Sequence, residues 1–480
     1  MYYLDIRSTN PLALVSLIFA MAASCEDLYA SEIAYLERLG PRYTGNTAHN
    51  QLIDHIEYQL EALGLNVTTD HYSFDYLNMD KEGPKLTVDG QSIAISSTYP
   101  YSGFTNGTIT AKLVPLISAT LSPFAEGSIG VVQLSNPELS QSILIDTWNK
   151  SQSWGSTANP VAATSLNAKI PGAKAGNKVD ALVFAWDESI TDQNALGQYV
   201  PFTFDYIGIP AIFVSGNSSK IIVDAAMKGR SASLNVPGGL KPGTPSRTLW
   251  AVVEGTTCRE ETIIIVTHTD GPNVVEENGY IAALQLARDV VSAKPSRTHV
   301  FVFVTGHLRI PAFTSHGQAT SRWLDDHPEM WDGKPHHRKT VASLALEHFG
   351  AIQYTDDLKA DRYQPTGRVE PELLYANTEE LFEVTEALWL GADPSYTRIS
   401  KPSLFLQFGE GAPLTAQRIP NVALVTTPLY LLAEWRLGNE VALVDMGALR
   451  RQIQSFQRLR TKIDGMESAS FGVPGPLLSG

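Results

Sequence analysis

The chain has 480 residues, of which 43% are hydrophobic and 18% are charged, so it is long enough for two or three structural units and too apolar for extensive disorder. Its formal net charge of −14 argues against a nucleic-acid partner, because a protein that binds nucleic acid needs positive charge to contact the phosphates. We therefore expect a globular protein without such a partner.

The N-terminal segment has the pattern of a secretory signal. Arg7 precedes an apolar or small run from Leu12 to Ala23, which is shorter than the roughly 20 residues that a membrane helix needs. We predict that residues 1–24 are a signal peptide and that the mature protein is secreted; the alternative is a buried N-terminal helix. No later run is apolar enough for a membrane span. Asn-x-Ser/Thr sequons, typical of secreted glycoproteins, begin at Asn66, Asn106, Asn149 and Asn217.

Residues 25–109 form the first predicted part of the main domain. Apolar residues at helical spacing predict a helix over Asn46–Leu63, after a shorter helix over Ser31–Leu39. Alternation predicts a strand over Leu65–Phe74. An Asp-Gly pair inside Leu86–Ile95 then predicts a β-hairpin.

Residues 110–236 differ from the preceding segment in their sequence pattern. Short β-prone runs at Ile129–Leu134, Ala181–Ala185 and Ile209–Val214 are separated by Gly, Asn, Ser and Pro. This pattern predicts a small β-rich insert. Residues 237–247, rich in glycine and proline, are interpreted as a linker that returns to the main domain.

The main part of the domain is predicted over residues 248–480. Two continuous β-branched or aromatic runs, Thr262–Val266 and Val300–Val304, suit buried parallel strands, and the apolar periodicity of Tyr280–Val291 predicts a helix between them. Such a strand–helix–strand unit predicts an α/β fold with a twisted, mostly parallel sheet flanked by helices. The β-rich insert would interrupt this domain.

The most informative motif lies between the first of these strands and the helix. His268-Thr269-Asp270-Gly271 is followed by Glu276 and Glu277. Open α/β sheets place their ligands in loops after strand ends, and a carboxylate near a histidine can orient it toward a metal. We therefore predict a metal site in this loop; the alternative is an ordinary hydrogen-bond network.

Several segments in this order resemble the zinc-peptidase family that includes leucyl aminopeptidases, glutamate carboxypeptidases, glutaminyl cyclases and the transferrin receptor ectodomain. The opening Gly40–Gly45 and the strand Trp250–Gly255 resemble segments of that family's catalytic domain. Ile207–Val214 resembles part of a protease-associated domain. The resemblance implies a zinc aminopeptidase-like fold with a protease-associated insert.

The family's site holds two zinc ions, and the resemblance carries that site over residue by residue. It implies that His268 is the first metal ligand, oriented by Asp270, and that Glu277 is the bridging carboxylate. Glu347 stands where another acidic ligand lies. His307 replaces a family glutamate and keeps the ability to bind zinc. One or two Zn²⁺ ions are therefore expected on these residues.

Two positions depart from the family pattern. The adjacent Glu-Glu pair of the family, general base and then ligand, falls on Gly306-His307, so the usual base is missing. The last family ligand, a histidine, has no counterpart in Thr426–Tyr430, where Tyr430 is only a poor substitute. Glu276 is the best remaining base, with Asp270 and His348 as alternatives.

These features predict a secreted hydrolase with an atypical zinc site, acting on a peptide or small amide substrate. Two alternatives stay open: a catalytically inactive binding protein on the same fold, and a non-hydrolytic metalloenzyme. His348 is interpreted as a packed or supporting histidine. Glu410 is either a group that recognises a cationic amine or a surface carboxylate.

Overall fold

The structure is a computed structural model, and it describes residues 28–477 except 81, 117–124, 144, 168–178, 199–205, 309–318, 392, 394 and 405. The predicted signal peptide, residues 1–24, lies outside the described residues. None of the helices within the described part of the chain is long and apolar enough to cross a membrane.

The chain alternates strands and helices. The strands are β1 (Val67–Met79), β2 (Lys85–Val88), β3 (Gln91–Ile93), β4 (Ser97–Thr98), β5 (Ile109–Leu116), β6 (Ile129–Leu134), β7 (Leu139–Ser140), β8 (Asp146–Thr147), β9 (Ser156–Thr157), β10 (Ala181–Trp186), β11 (Ala211–Val214), β12 (Ser231–Asn235), β13 (Gly238–Val253), β14 (Cys258–His268), β15 (Arg297–Val304), β16 (Lys339–Glu347), β17 (Ile352–Asp357), β18 (Arg362–Val369), β19 (Glu372–Ala376), β20 (Thr397–Lys401) and β21 (Asn421–Val425). The α-helices are α1 (28–39), α2 (Thr47–Ala62), α3 (Pro160–Asn167), α4 (Asp192–Ala195), α5 (Gly216–Met227), α6 (Gly279–Ala293), α7 (Ala319–Asp326), α8 (Glu379–Leu388), α9 (Gly411–Ala416) and α10 (Met446–Asp464). Short 3₁₀ helices cover Gln141–Ile143, Pro328–Met330, Glu440–Leu443 and Ser468–Phe471.

The larger sheet has nine strands in the order β1-β13-β15-β14-β16-β21-β19-β20-β8. Its four central strands, β15, β14, β16 and β21, are parallel. The strands β1 and β13 pair antiparallel with their neighbours, and β19 pairs antiparallel with β21 but parallel with β20. The α/β fold class is therefore confirmed, with a mixed sheet whose parallel part is central. The continuous apolar runs of β14 and β15 are buried on both faces, which explains why they show no alternation.

Helices cover both faces of this sheet. Ile263 and Phe301 belong to the core that includes α2, α6 and α10, whereas their neighbours Ile264 and Val300 belong to the core on the side of α7 and α9. Successive side chains of a strand point to opposite faces, so each strand contributes to both cores. The two helix layers fix the central strands and hence the positions of their ends.

A second sheet of eight strands runs in the order β3-β2-β12-β5-β6-β10-β11-β4 and has its own apolar core. Its strands lie between residues 85 and 235, so it includes β2, β3 and β4, which precede the predicted start of the insert at residue 110. The predicted linker, residues 237–247, lies largely in β13, where pairing with β1 extends the strand despite its glycines and prolines. Composition alone does not reveal such a partner strand. The division into domains stays a prediction.

The parallel strands bring several chain segments to one edge of the larger sheet. β14 ends at His268, β15 at Val304, β16 at Glu347 and β21 at Val425. Because parallel strands share a direction, the loops that follow them meet outside their carboxyl ends, where open α/β sheets bind ligands. The predicted site residues lie at this edge.

Candidate metal centre

Five ionisable side chains converge at the carboxyl ends of the central strands. His268 and Glu347 are the last residues of β14 and β16, and His348 follows at once. Glu276 lies in the loop before α6, and His307 lies just beyond β15. All five are at most 5% exposed. They form two overlapping groups with metal-ligand spacing, namely His268, Glu276 and His307, and His268, Glu347 and His348.

The donor atoms of the second group lie close to the spacing that a zinc ion requires. Nε2 of His268 lies 3.7 Å from Oε2 of Glu347, which lies 4.0 Å from Nε2 of His348. Ligands around a tetrahedral zinc, with bonds of about 2.1 Å, lie about 3.4 Å apart. Both distances are therefore slightly longer than a bound zinc requires.

Backbone carbonyls fix both imidazoles of this group. Nδ1 of His268 donates to the carbonyl oxygen of Asp270 at 2.9 Å, and Nδ1 of His348 donates to that of Thr426 at 2.7 Å. Each Nε2 therefore presents a lone pair, the arrangement of metal-bound histidines. His348, interpreted from sequence as a supporting residue, thus occupies a ligand position. Its signal in the sequence was its place directly after Glu347.

The donor atoms of this group lack other partners. Nε2 of His268, Oε2 of Glu347 and Nε2 of His348 are buried without a hydrogen bond to any described residue. A buried polar atom without a partner costs about 1–3 kcal/mol, and a metal ion would supply all three with one. Nε2 of the buried His299 is also unpartnered, but no carboxylate or second histidine joins it in a ligand group among the described residues. The residues therefore fit a zinc ion.

Glu276 lies close to His268 and His307. One carboxylate oxygen lies 3.9 Å from Nδ1 of His268 and the other 3.8 Å from Nε2 of His307. Neither oxygen has a hydrogen-bond partner within the described ranges. The rings of His268 and His307 stack with centroids 4.1 Å apart. Glu276, predicted as the base, is thus buried in the first ligand group with two unpartnered carboxylate oxygens.

Glu410 has a role that the sequence did not indicate. It is fully buried, so its interpretation as a surface carboxylate is wrong. Its carboxylate hydrogen-bonds Nδ1 of His307 and accepts from the backbone N–H of Thr320 at 2.9 Å, while its own backbone N–H donates to Glu347 at 2.7 Å. The adjacent Gly409 has φ +76°, and a Cβ there would lie 2.4 Å from Oε1 of Glu347, so glycine permits this close approach. Glu410 therefore orients His307 and also fastens Glu347.

Glu277, predicted as the bridging ligand, is directed elsewhere. Its carboxylate is paired with the guanidinium of Arg42, and both side chains are fully buried. Arg42 also donates to the backbone carbonyl of Leu36 at 2.8 Å. Burial raises the pKa of Glu277 to about 7, although Arg42 opposes that rise. The structure thus brings Glu276, and not its neighbour, to the ligand groups.

We expect Arg42→Met to lower the free energy of unfolding by about 3–5 kcal/mol at pH 8, because Glu277 would keep a buried charge without a partner. The folded-state pKa of Glu277 already lies above its ordinary value, and removing the cation raises it further. Protonation at lower pH removes the charge, so the loss should shrink toward pH 5. Urea unfolding at both pH values measures this difference.

The double variant Arg42→Met with Glu277→Gln is the matched control, and it should recover at least half of the stability lost at pH 8. An equal loss at pH 5 and pH 8, without recovery in the double variant, would attribute the effect to packing of the arginine side chain instead of charge pairing.

Asp270 supports the centre, although not in the predicted way. Its backbone carbonyl accepts from His268, while its carboxylate accepts from the hydroxyl of Thr44 and from the backbone N–H groups of His307 (3.3 Å) and Leu308 (2.8 Å). Burial would raise the pKa of Asp270, but nearby histidines and the bond from Thr44 outweigh it and lower that pKa. Asp270 is therefore an anion that fastens the loop carrying His307.

Two further positions explain the departures from the family pattern. Gly306 has φ +94°, and a Cβ there would lie 2.6 Å from the ring of Phe74, so the backbone leaves no room for the missing glutamate. The hydroxyl of Tyr430 donates to the carbonyl of Ile352 at 2.8 Å and therefore does not substitute for a ligand. His348 provides the additional imidazole instead.

Burial disfavours the charged form of four side chains of the centre. It lowers the pKa of His268 to about 3 and that of His348 well below its ordinary value, so both imidazoles are neutral ligands. Burial also raises the pKa of Glu347 to about 8 and, with neighbouring carboxylates, raises the pKa of Glu276 well above its usual range. A bound cation would lower the pKa values of both glutamates again.

No protein-family model and no curated protein matches this sequence. Solved structures do match its fold. A zinc aminopeptidase from Bacillus subtilis is 14% identical with a TM-score of 0.60, covering 94% of this chain and 98% of its own. A peptidase M28 precursor from Shewanella amazonensis SB2B is 13% identical with a TM-score of 0.65, covering 96% and 99%. An aminopeptidase from Aneurinibacillus sp. strain AM-1 is 14% identical with a TM-score of 0.57, covering 95% and 96%.

The fold is that of a zinc peptidase. The matches extend over nearly the whole of each chain, so the resemblance inferred from sequence holds for the architecture. At 13–14% identity the likeness concerns the fold and not the chemistry. The finer resemblances, to leucyl aminopeptidases or glutamate carboxypeptidases and to a protease-associated domain, stay predictions.

Proposed function

We propose that this protein is a secreted zinc-dependent hydrolase that cleaves peptide or amide bonds. The observation that carries the proposal is the set of three buried, convergent and unpartnered donor atoms on His268, Glu347 and His348. Both imidazoles are held with Nε2 directed inward, an arrangement that a hydrogen-bond network alone does not require. The zinc-peptidase fold supports this chemistry.

His268, Glu347 and His348 would hold one zinc ion. Bound zinc polarises a carbonyl and lowers the pKa of water, which permits hydrolysis near neutral pH. Three protein ligands leave a position for substrate, as catalytic zinc sites require. This assignment keeps His268 and Glu347 of the four predicted ligands, adds His348, and omits Glu277, which is engaged by Arg42, and His307, which lies against Glu276.

Glu276 would act as general base in place of the glutamate that Gly306 cannot provide. Its two unpartnered oxygens lie 3.9 Å from Nδ1 of His268 and 3.8 Å from Nε2 of His307, respectively. As a base, the carboxylate would take one proton from the attacking water and return it to the leaving amine. The water oxygen bonds to the carbonyl carbon, the C–N bond breaks, and the products are a carboxylic acid and an amine. His307, fixed by Glu410, lies with its Nε2 3.8 Å from Glu276.

Zinc affinity should rise with pH. Both imidazoles are neutral from pH 6 to 8, because burial lowers the pKa values of His268 and His348. Glu347, whose pKa burial raises to about 8, must lose a proton when zinc binds. One released proton gives about a tenfold gain in affinity per pH unit below pH 8. Chelator competition between pH 6 and pH 8 measures the slope, and calorimetry in two buffers counts the protons.

Glu440→Gln is the control for this pH dependence. Burial raises the pKa of Glu440 to about 7, but its carboxylate accepts from the backbone N–H of Val274 instead of joining a ligand group. The slope should persist in that variant. A flat pH profile in the unmodified protein would exclude Glu347 as a ligand.

The proposed function is tested by metal content and product identity together. Purified protein and its His268→Ala variant would be compared by plasma mass spectrometry, then assayed on a panel of aminoacyl-p-nitroanilides and short peptides. Zinc that is lost in the variant, with chelator-sensitive release of amine, supports the hydrolase. Zinc without hydrolysis favours the non-hydrolytic enzyme. No zinc after reconstitution, with the fold intact, favours the inactive binding protein.

A further inference from the structure

A cavity of about 640 Å³ lies beside the metal centre and between the two sheets. At one end it is lined by Thr44, whose hydroxyl donates to the carboxylate of Asp270, and by Leu308, whose backbone N–H donates to the same group. Leu308 directly follows His307. The cavity therefore starts at the loop that Asp270 fastens and extends away from the centre. Its volume is in the range of ligand-binding pockets.

Edge strands of both sheets contribute to the walls of this cavity. β1 is the first strand of the nine-stranded sheet, and its residues Asp75, Tyr76, Leu77 and Met79 line the cavity. β3 and β4 are the two ends of the eight-stranded sheet, and residues of both line it as well. An edge strand presents backbone donors and acceptors on its open side, so an extended peptide can pair with it. This geometry suits a peptide backbone better than a compact ligand.

Two buried polar side chains of the lining also lack partners. Oγ of Ser97 and Oε1 of Gln198 have no hydrogen bond to the described part of the chain, and the residues are 5% and 4% exposed. Ser97 lies on the edge strand β4, whereas Gln198 is held through its Nε2 by the carbonyl of Asn194 at 2.8 Å. A bound backbone amide would supply a donor to each oxygen.

The charge of the lining defines the side chains that it favours. Glu82 is paired with Lys85, and Glu434 with Arg436, so these four charges cancel. Two carboxylates remain, Asp75 and Asp80. The hydrogen bonds to them from described residues come from the backbone N–H groups of Gly243 and Glu82, each at 3.3 Å. Among the described residues, the lining thus carries an excess of two negative charges.

We propose that this cavity binds an extended peptide segment with basic side chains, as the part of the substrate next to the scissile bond. The inference rests on the proposed hydrolase function. β1 would pair with the peptide backbone, and Asp75 and Asp80 would each attract a lysine or arginine. The end near Leu308 would deliver the next peptide bond to the metal centre.

Binding of defined peptides tests this proposal without requiring turnover. Fluorescein-labelled Ala-Lys-Ala-Lys-Ala-Lys and its glutamine and glutamate counterparts would be titrated into the zinc-loaded Glu276→Gln variant, with fluorescence anisotropy as readout. The lysine peptide should bind at least tenfold more tightly than the glutamate peptide, and its affinity should fall with added salt. N-methylation of alternate backbone amides should weaken it at least tenfold, because it removes donors and adds bulk at the paired edge.

Variants of the lining locate the effect. Asp75→Asn with Asp80→Asn should lower affinity for the lysine peptide about tenfold and leave the glutamine peptide unchanged. Asp224→Asn, which changes an exposed carboxylate paired with Lys228, is the matched control and should have no effect. Equal affinity for the three peptides, an unaffected double variant, or indifference to N-methylation would each overturn the proposal.

The outcomes separate this proposal from the hydrolase assignment. Zinc-dependent hydrolysis without preference for the lysine peptide would overturn the cavity assignment alone. Lysine preference that disappears in the double aspartate variant, in a protein that neither holds zinc nor hydrolyses amides, would support the cavity and overturn the proposed function.

Discussion

Replacement of His348 by asparagine is expected to reduce zinc affinity by about 10²-fold or more. The side chain supplies one of three unpartnered donor atoms. Even the groups that only orient a zinc ligand contribute a factor of about 10–100 to metal affinity. Asparagine is the suitable replacement, because His348 has φ +59°, a conformation that asparagine adopts more readily than most residues. Chelator competition measures the affinity, and mass spectrometry measures the zinc retained.

His299→Asn is the matched control for this variant. His299 is also buried, its Nδ1 also donates to a backbone carbonyl (that of Arg297, at 3.0 Å), and its Nε2 is likewise unpartnered. It lies at the other end of the sheet, near the start of β15. Zinc affinity should stay within a factor of two in that variant. Equal losses in both would indicate a general effect of removing a buried imidazole.

Glu276→Gln is expected to lower kcat by about 10²–10⁴-fold while zinc is retained, because a positioned base contributes that factor. Glutamine keeps the size of the side chain and cannot take a proton. Burial and the neighbouring carboxylates raise the pKa of Glu276 well above its usual range, so the metal-free protein should lose little stability when the proton-bearing acid becomes an amide. Steady-state kinetics, zinc content and thermal unfolding of the same preparation check the three expectations.

Two results would change the role of Glu276. Loss of zinc in the variant would make it a metal ligand, which its place in the group with His268 and His307 permits. A kcat within tenfold of the unmodified protein, with zinc retained, would exclude it as the base. Glu440→Gln, which alters another buried carboxyl near the same loop, should leave kcat unchanged.

Local patterns were sufficient for the architecture and for part of the centre. The apolar runs of β14 and β15 and the periodic helix between them predicted a parallel unit, and α6 spans Gly279–Ala293 where the helix was expected. The loop after a predicted strand was sufficient to locate His268, and the family resemblance located Glu347. Such patterns could not predict boundaries that depend on a partner strand, such as the beginning of β13 in the predicted linker.

The sequence by itself determined which loops meet, whereas only the tertiary structure decided which side chains face one another. Glu276 and Glu277 are neighbours in a loop, and loop backbone has no period that fixes the direction of its side chains. Glu277 points away from the ligand groups because it pairs with the buried Arg42, 235 positions away. Glu410 reaches His307 across 103 positions. Such pairs form because a buried charge must find a partner, and packing of the whole chain decides which partner is near.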